Sequence, residues 1–69
     1  MRLRNHIKQQ RACVHLTQEK LALRVGVRRQ TILSIEKGRY VPSTLLAFDI
    51  ARALGVRVDE LFELDEERQ

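Results

Sequence analysis

Guanidinium, amide, hydroxyl and ammonium groups crowd into one short stretch: Arg28, Arg29, Gln30, Ser34 and Lys37, with Leu33 among them. Arginine presents two parallel N–H donors, and a glutamine amide sets a donor beside an acceptor. Such pairs match nucleobase edges: Gln can bridge adenine N6 and N7, Arg guanine O6 and N7, and Leu can pack on a thymine methyl. At about 100° per residue, Ile32 and Ile35 point one way, and Gln30, Leu33, Ser34 and Lys37 the opposite way. Taken singly, an exposed Arg or Gln is ordinary helix surface. Together with a buried isoleucine stripe, they describe a helix over 28–37 whose outward face can read.

Such a helix needs a brace. Residues 18–38 hold two helical patterns separated only by Gly26-Val27, a connection short enough to force a tight turn. Thr17 is an N-cap signal for the first, over 18–25, although Lys20 stands where a full capping box would carry Glu. Leu21, Ala22 and Val25 form its buried stripe, and Ala22 is small where two crossing helices approach closest. Gly26 supplies the positive φ that ends this helix, and Gly38 stops the next. Two helices meeting at a sharp angle, the second with a polar and basic outer face, suit a DNA groove.

The flanking chain supplies the support. Asn5 is a candidate cap for a first helix over 6–14, whose apolar surface is thin and whose Gln10 is unexpectedly polar. Pro42-Ser43 opens a fourth helix over 43–54, with Leu46, Ala47, Ile50, Ala51 and Leu54 on a wide apolar face, stopped by Gly55. A short last helix over 58–62 begins with Asp59 and Glu60, whose charge suits a helix N-terminus. The acidic tail 63–69 is expected to fray except at Leu64.

Sixty-nine residues make one domain, taken here as 1–69, near the lower limit for unaided folding. At 43% hydrophobic and 4% aromatic, the core must be aliphatic. One cysteine excludes an internal disulfide, so a reducing cytoplasm is the natural compartment. No apolar run approaches the ~20 residues that span a membrane. Residues 1–39 carry ten Lys/Arg against two acids, and residues 40–69 three against seven, so a net +8 front faces a net −4 back. That asymmetry fits one polyanion-binding face and a tail that repels DNA. Cys13 and His15 lack the further ligands a metal site needs, and Cys13 reads as a partly buried filler. No nucleophile, base and orienting group stand together, so neither an enzyme nor a cofactor is expected.

Taken together, the residues resemble the Cro/C1-type (Xre) helix-turn-helix repressor family. The matching positions are TQ at 17–18, LA at 21–22, GV at 26–27, QTI at 30–32, IEKGR at 35–39, PS at 42–43, IARALGV at 50–56 and DELF at 59–62. His15 departs from a usual Gly, Arg28 from a usual Ser or Thr cap, and Gln10 from a usual Leu. The resemblance implies an all-α, five-helix lambda-repressor-like domain with its helix-turn-helix at 18–37, and a short β-ribbon from the two termini. It also implies sequence-specific binding to double-stranded DNA as a homodimer, on an operator with two half-sites.

By position, Arg29, Gln30 and Ser34 match the family's base-reading residues, with Arg28 and Leu33 beside them. Gln18 matches a phosphate clamp, and Lys37, Arg39 and Tyr40 follow as phosphate contacts. Arg2, Arg4 and Lys8 add only long-range attraction. Arg11 and Glu36 match a structural ion pair beneath the reading face. Leu45, Leu61 and Leu64 are the candidate dimer contacts, with closure of the monomer core an equal reading for Leu61. The alternative function within the same fold is an antitoxin, which binds a toxin protein as well as its own operator.

Overall fold

The computed structural model describes residues 2–65. Its order is β1 (Arg2–Asn5), α1 (Ile7–Cys13), α2 (Gln18–Val25), α3 (Arg29–Glu36), α4 (Thr44–Leu54), α5 (Val58–Leu61) and β2 (Phe62–Asp65). Five helices therefore carry the fold, and the two short strands join its ends. The core is aliphatic as composition demands: Ile7, Leu16, Leu21, Ile32, Ile35, Ile50, Leu54 and Leu61 are buried, with Ala22, Ala51 and Phe62 filling between them.

Local signals explain where the helices start. The Thr17 hydroxyl accepts the Lys20 N–H at 3.0 Å, and the Ser43 hydroxyl accepts that of Leu46 at 3.1 Å. Each removes one of the orphan donors of a first turn. Arg28 offers no such bond at the start of α3, as its side chain has no acceptor. At α5 the Glu60 carboxylate accepts the Arg57 N–H at 2.9 Å.

Helix ends share one device. In α2 the Val27 N–H reaches the Ala22 carbonyl at 3.0 Å across Gly26, whose φ is +75°. This is the Schellman closure, which needs a left-handed residue between its two bonds. The same 6→1 bond closes α3 (Arg39 to Ser34) and α4 (Val56 to Ala51). It also closes α1, where the Leu16 N–H meets the Arg11 carbonyl at 2.9 Å. There the left-handed residue is His15, at φ +58°. The departure from Gly noted in the sequence thus falls on a backbone that favours Gly.

The termini correct two expectations. Residues 62–65 do not fray: β2 runs antiparallel to β1, pairing Leu3 with Leu64, Arg4 with Glu63 and Arg2 with Asp65. The front of the acidic tail therefore faces basic partners, and the Arg4 guanidinium lies 3.8 Å from Glu63. Residues 66–69 lie outside the described residues. Two four-residue strands are marginal alone, so the ribbon depends on Leu3 and Phe62 packing on the core and on the His6 N–H bonding the Leu61 carbonyl at 2.9 Å. Leu61 itself is 0% exposed. It closes the monomer core and offers no surface to a partner, which removes it from the dimer contacts. Cys13 is likewise not a filler: it ends α1 with its side chain exposed.

Candidate nucleic-acid interface

The α3 helix buries Ile32 and Ile35 completely or nearly so. Its first turn leaves Arg28, Arg29 and Gln30 exposed, whereas Leu33 and Ser34 are half-buried. Lys37, Arg39 and Tyr40 emerge exposed at the other end. The helix is thus anchored by two isoleucines, and the opposite face is open at its two ends, at Gln30 and Lys37, and partly covered between them at Leu33 and Ser34.

Beneath that face lies a polar network. Glu36 is only 8% exposed in its side chain and Arg11 14%. The Arg11 guanidinium donates to both Glu36 oxygens, Nε to Oε2 at 2.7 Å and Nη2 to Oε1 at 3.3 Å. A third donor, Arg11 Nη1, reaches the Leu16 carbonyl at 3.0 Å. Gln18 Nε2 adds a bond to Glu36 Oε1 at 3.0 Å. A carboxylate taken this far from water is tolerable only when its lone pairs are met by charged and neutral donors. Helices α1, α2 and α3 are tied together through this one residue.

Three further residues join the site: Gln9, which the sequence did not single out, and Asn5 and Lys8, to which it gave other parts. Asn5 accepts the Ile7 N–H at 3.2 Å and donates to the Ile35 carbonyl at 2.9 Å, so it fastens the end of α3 to the start of α1. Its signal in the sequence was only that of a cap. Lys8 and Gln9 line a cleft of about 360 Å³ together with Gln18, Leu33 and Lys37. Lys8 was assigned only long-range attraction, but it shares a wall with the clamp residue. Nothing in a single helical pattern reveals that α1 and α3 converge there.

The remaining candidates disperse. Tyr40 borders a smaller cleft of about 210 Å³ with Leu3 and Phe62, between the ribbon and the segment after α3. Leu45 on α4 and Leu64 on β2 are exposed, apart from the buried Leu61. Among the described residues no group of His, Cys, Asp and Glu has the makings of a metal site. None of the described helices is long and apolar enough to cross a membrane.

This arrangement, two helices joined by a tight glycine turn with an exposed polar and basic first turn on the second, defines a DNA-binding helix-turn-helix domain. The helix-turn-helix family model matches residues 7–61. An HTH-type transcriptional regulator of Archaeoglobus fulgidus is 51% identical over 65 residues, covering 94% of this chain and 92% of the relative. One from Methanothermobacter thermautotrophicus is 54% identical over 66 residues, covering 94% and 96%. Among solved structures, the restriction-modification controller protein C.AhdI from Aeromonas hydrophila superposes with a TM-score of 0.73 at 28% identity, over 78% of each chain. The chain belongs to the Cro/C1-type helix-turn-helix family of transcriptional regulators.

Proposed function

We propose that this regulator is a dimeric repressor that reads double-stranded DNA sequence-specifically by laying α3 in the major groove. The observation carrying the reading is the bare Arg28–Arg29–Gln30 turn, held at a set angle by the Glu36 network beneath it. Arg29 and Gln30 take the base edges, with Ser34 and Leu33 behind them and Arg28 at the groove's rim. Lys37, Arg39 and Tyr40 take phosphates past the end of α3.

Gln18 has a narrower part than a free clamp. One Nε2 hydrogen is given to Glu36, which leaves the second hydrogen and the N–H groups of the first turn of α2 for a phosphate. Lys8 flanks the same cleft and adds a cation. Repression then requires only occupancy of a site overlapping a promoter. Two protomers would set their α3 helices about 34 Å apart, in successive major grooves of an operator with two half-sites. The thiol of Cys13 and the lack of any other cysteine suit a reducing cytoplasm.

Selection of bound duplexes from a random pool tests the reading. A two-fold symmetric motif, bound with an affinity that falls steeply with salt, is the expected product. Recovery of unrelated sequences would remove sequence-specific readout.

A further inference from the structure

The chain that leaves α3 carries the phosphate contacts proposed above, yet it has almost no side-chain anchor of its own. Lys37, Gly38, Arg39, Tyr40 and Val41 are all exposed, and the next buried residue is Pro42. A run of exposed residues cannot be placed by packing, and segments of that kind open most easily. Its course is set by backbone bonds. The Lys37, Gly38 and Arg39 N–H groups donate to the Leu33, Ile35 and Ser34 carbonyls at 3.1, 3.0 and 2.9 Å. These bonds close the helix on itself, at a helix end, where fraying begins.

Asn5 supplies a bond from elsewhere in the molecule. Its Nδ2 donates at 2.9 Å to the Ile35 carbonyl, the same oxygen that the Gly38 N–H reaches. A carbonyl oxygen has two lone pairs, and here both are used. Asn5 is itself firmly held. It pairs with Phe62 in the ribbon, the adjoining His6 N–H bonds the Leu61 carbonyl at 2.9 Å, and its Oδ1 takes the Ile7 N–H at 3.2 Å. It also borders both clefts beside the exit of α3, one with Lys8 and Lys37 and the other with Gly38 and Tyr40. Starting α1 needs only an acceptor, which Ser, Thr or Asp also offers. The donor to Ile35 needs the amide.

We propose that Asn5 is a positioning residue for DNA binding: its amide holds the exit of α3 so that Lys37, Arg39 and Tyr40 meet the phosphates. The inference rests on the DNA-binding reading above and ties the terminal ribbon to that grip. It concerns grip and not base choice, because Arg29 and Gln30 stand at the opposite end of α3.

Asn5→Thr tests it, since the hydroxyl can still accept from Ile7 and Thr suits a strand, but the donor is gone. Duplex titrations over a range of salt are made where circular dichroism shows the variant folded. Affinity for every duplex should fall about tenfold, with a salt slope smaller by about one. Ratios between the selected operator and its single-base variants should match the wild type. In an Arg39→Ala background the same substitution should cost about threefold or less, because one contact it positions is already lost. Wild-type affinity and slope in Asn5→Thr overturn the inference, as do altered base ratios or independent losses in the double variant. A wild type without salt-dependent duplex binding removes the DNA reading and the inference with it. Should Asn5→Thr fail to fold, hydrogen exchange of the wild type decides. Linkage is reciprocal, so a bond that strengthens DNA binding is strengthened by DNA. The Asn5 side-chain amide should exchange more slowly on the operator than in the free protein, and an unchanged rate overturns the inference.

Discussion

Glu36 meets two donors from Arg11 and one from Gln18, so its worth to the fold depends on which partner is removed. Taking away one member of a nearly buried pair strands the other and costs on the order of 3–5 kcal/mol. A domain of this size has only about 3–10 kcal/mol in all. Arg11→Met or Glu36→Leu alone should therefore bring the chain close to unfolding, whereas the double variant should be milder than either. Denaturant titrations of the four proteins give the coupling, and additive losses would contradict it. His15 makes the converse case. Its left-handed backbone is strained for a side chain with a Cβ, so His15→Gly should raise stability by about 0.5–1 kcal/mol despite the added freedom of the unfolded chain. Urea midpoints compared at equal slope would measure it.

At the scale of the element, α3 begins on an Arg where a hydroxyl would cap it. Arg28→Ser should stabilise the helix by about 1 kcal/mol and at the same time weaken DNA binding, because a cation is lost at the groove's edge. Thermal melts and duplex titrations on the same variant should move in opposite directions. How much of this was legible follows from the length of each signal. Helices α2 and α4 carry a cap, a stripe and a stop, and the sequence yields them within a residue. The Ile32–Ile35 stripe likewise orients α3 correctly. The strands escape residue patterning because four residues hold no usable alternation, and their pairing joins positions 2–5 to 62–65; only family resemblance anticipates it. Leu61 sits in a four-residue helix, too short for periodicity to separate core from interface. Asn5, Lys8 and the bond from Gln18 to Glu36 all depend on how α1, α2 and α3 converge, which no local window contains.

Across the whole molecule, the charge asymmetry of the sequence survives in altered form. Arg4 lies against Glu63 in the ribbon, so the attraction for DNA rests more on Lys8, Arg28, Arg29, Lys37 and Arg39 than on the first residues. Replacing Lys8 by Ala should accordingly lower the slope of log affinity against log salt by about one, while Arg4→Ala should leave it nearly unchanged. Equal slopes for the two would place Lys8 outside the contact surface.

The central claim is a division of labour between residues that read and residues that hold. Binding of Gln30→Ala and Arg39→Ala to a library of single-base operator variants tests it most directly. Gln30→Ala should lose about 1–3 kcal/mol of discrimination at one base position, while Arg39→Ala should weaken every duplex alike and flatten the salt dependence. Two variants with the same profile across the library would contradict it.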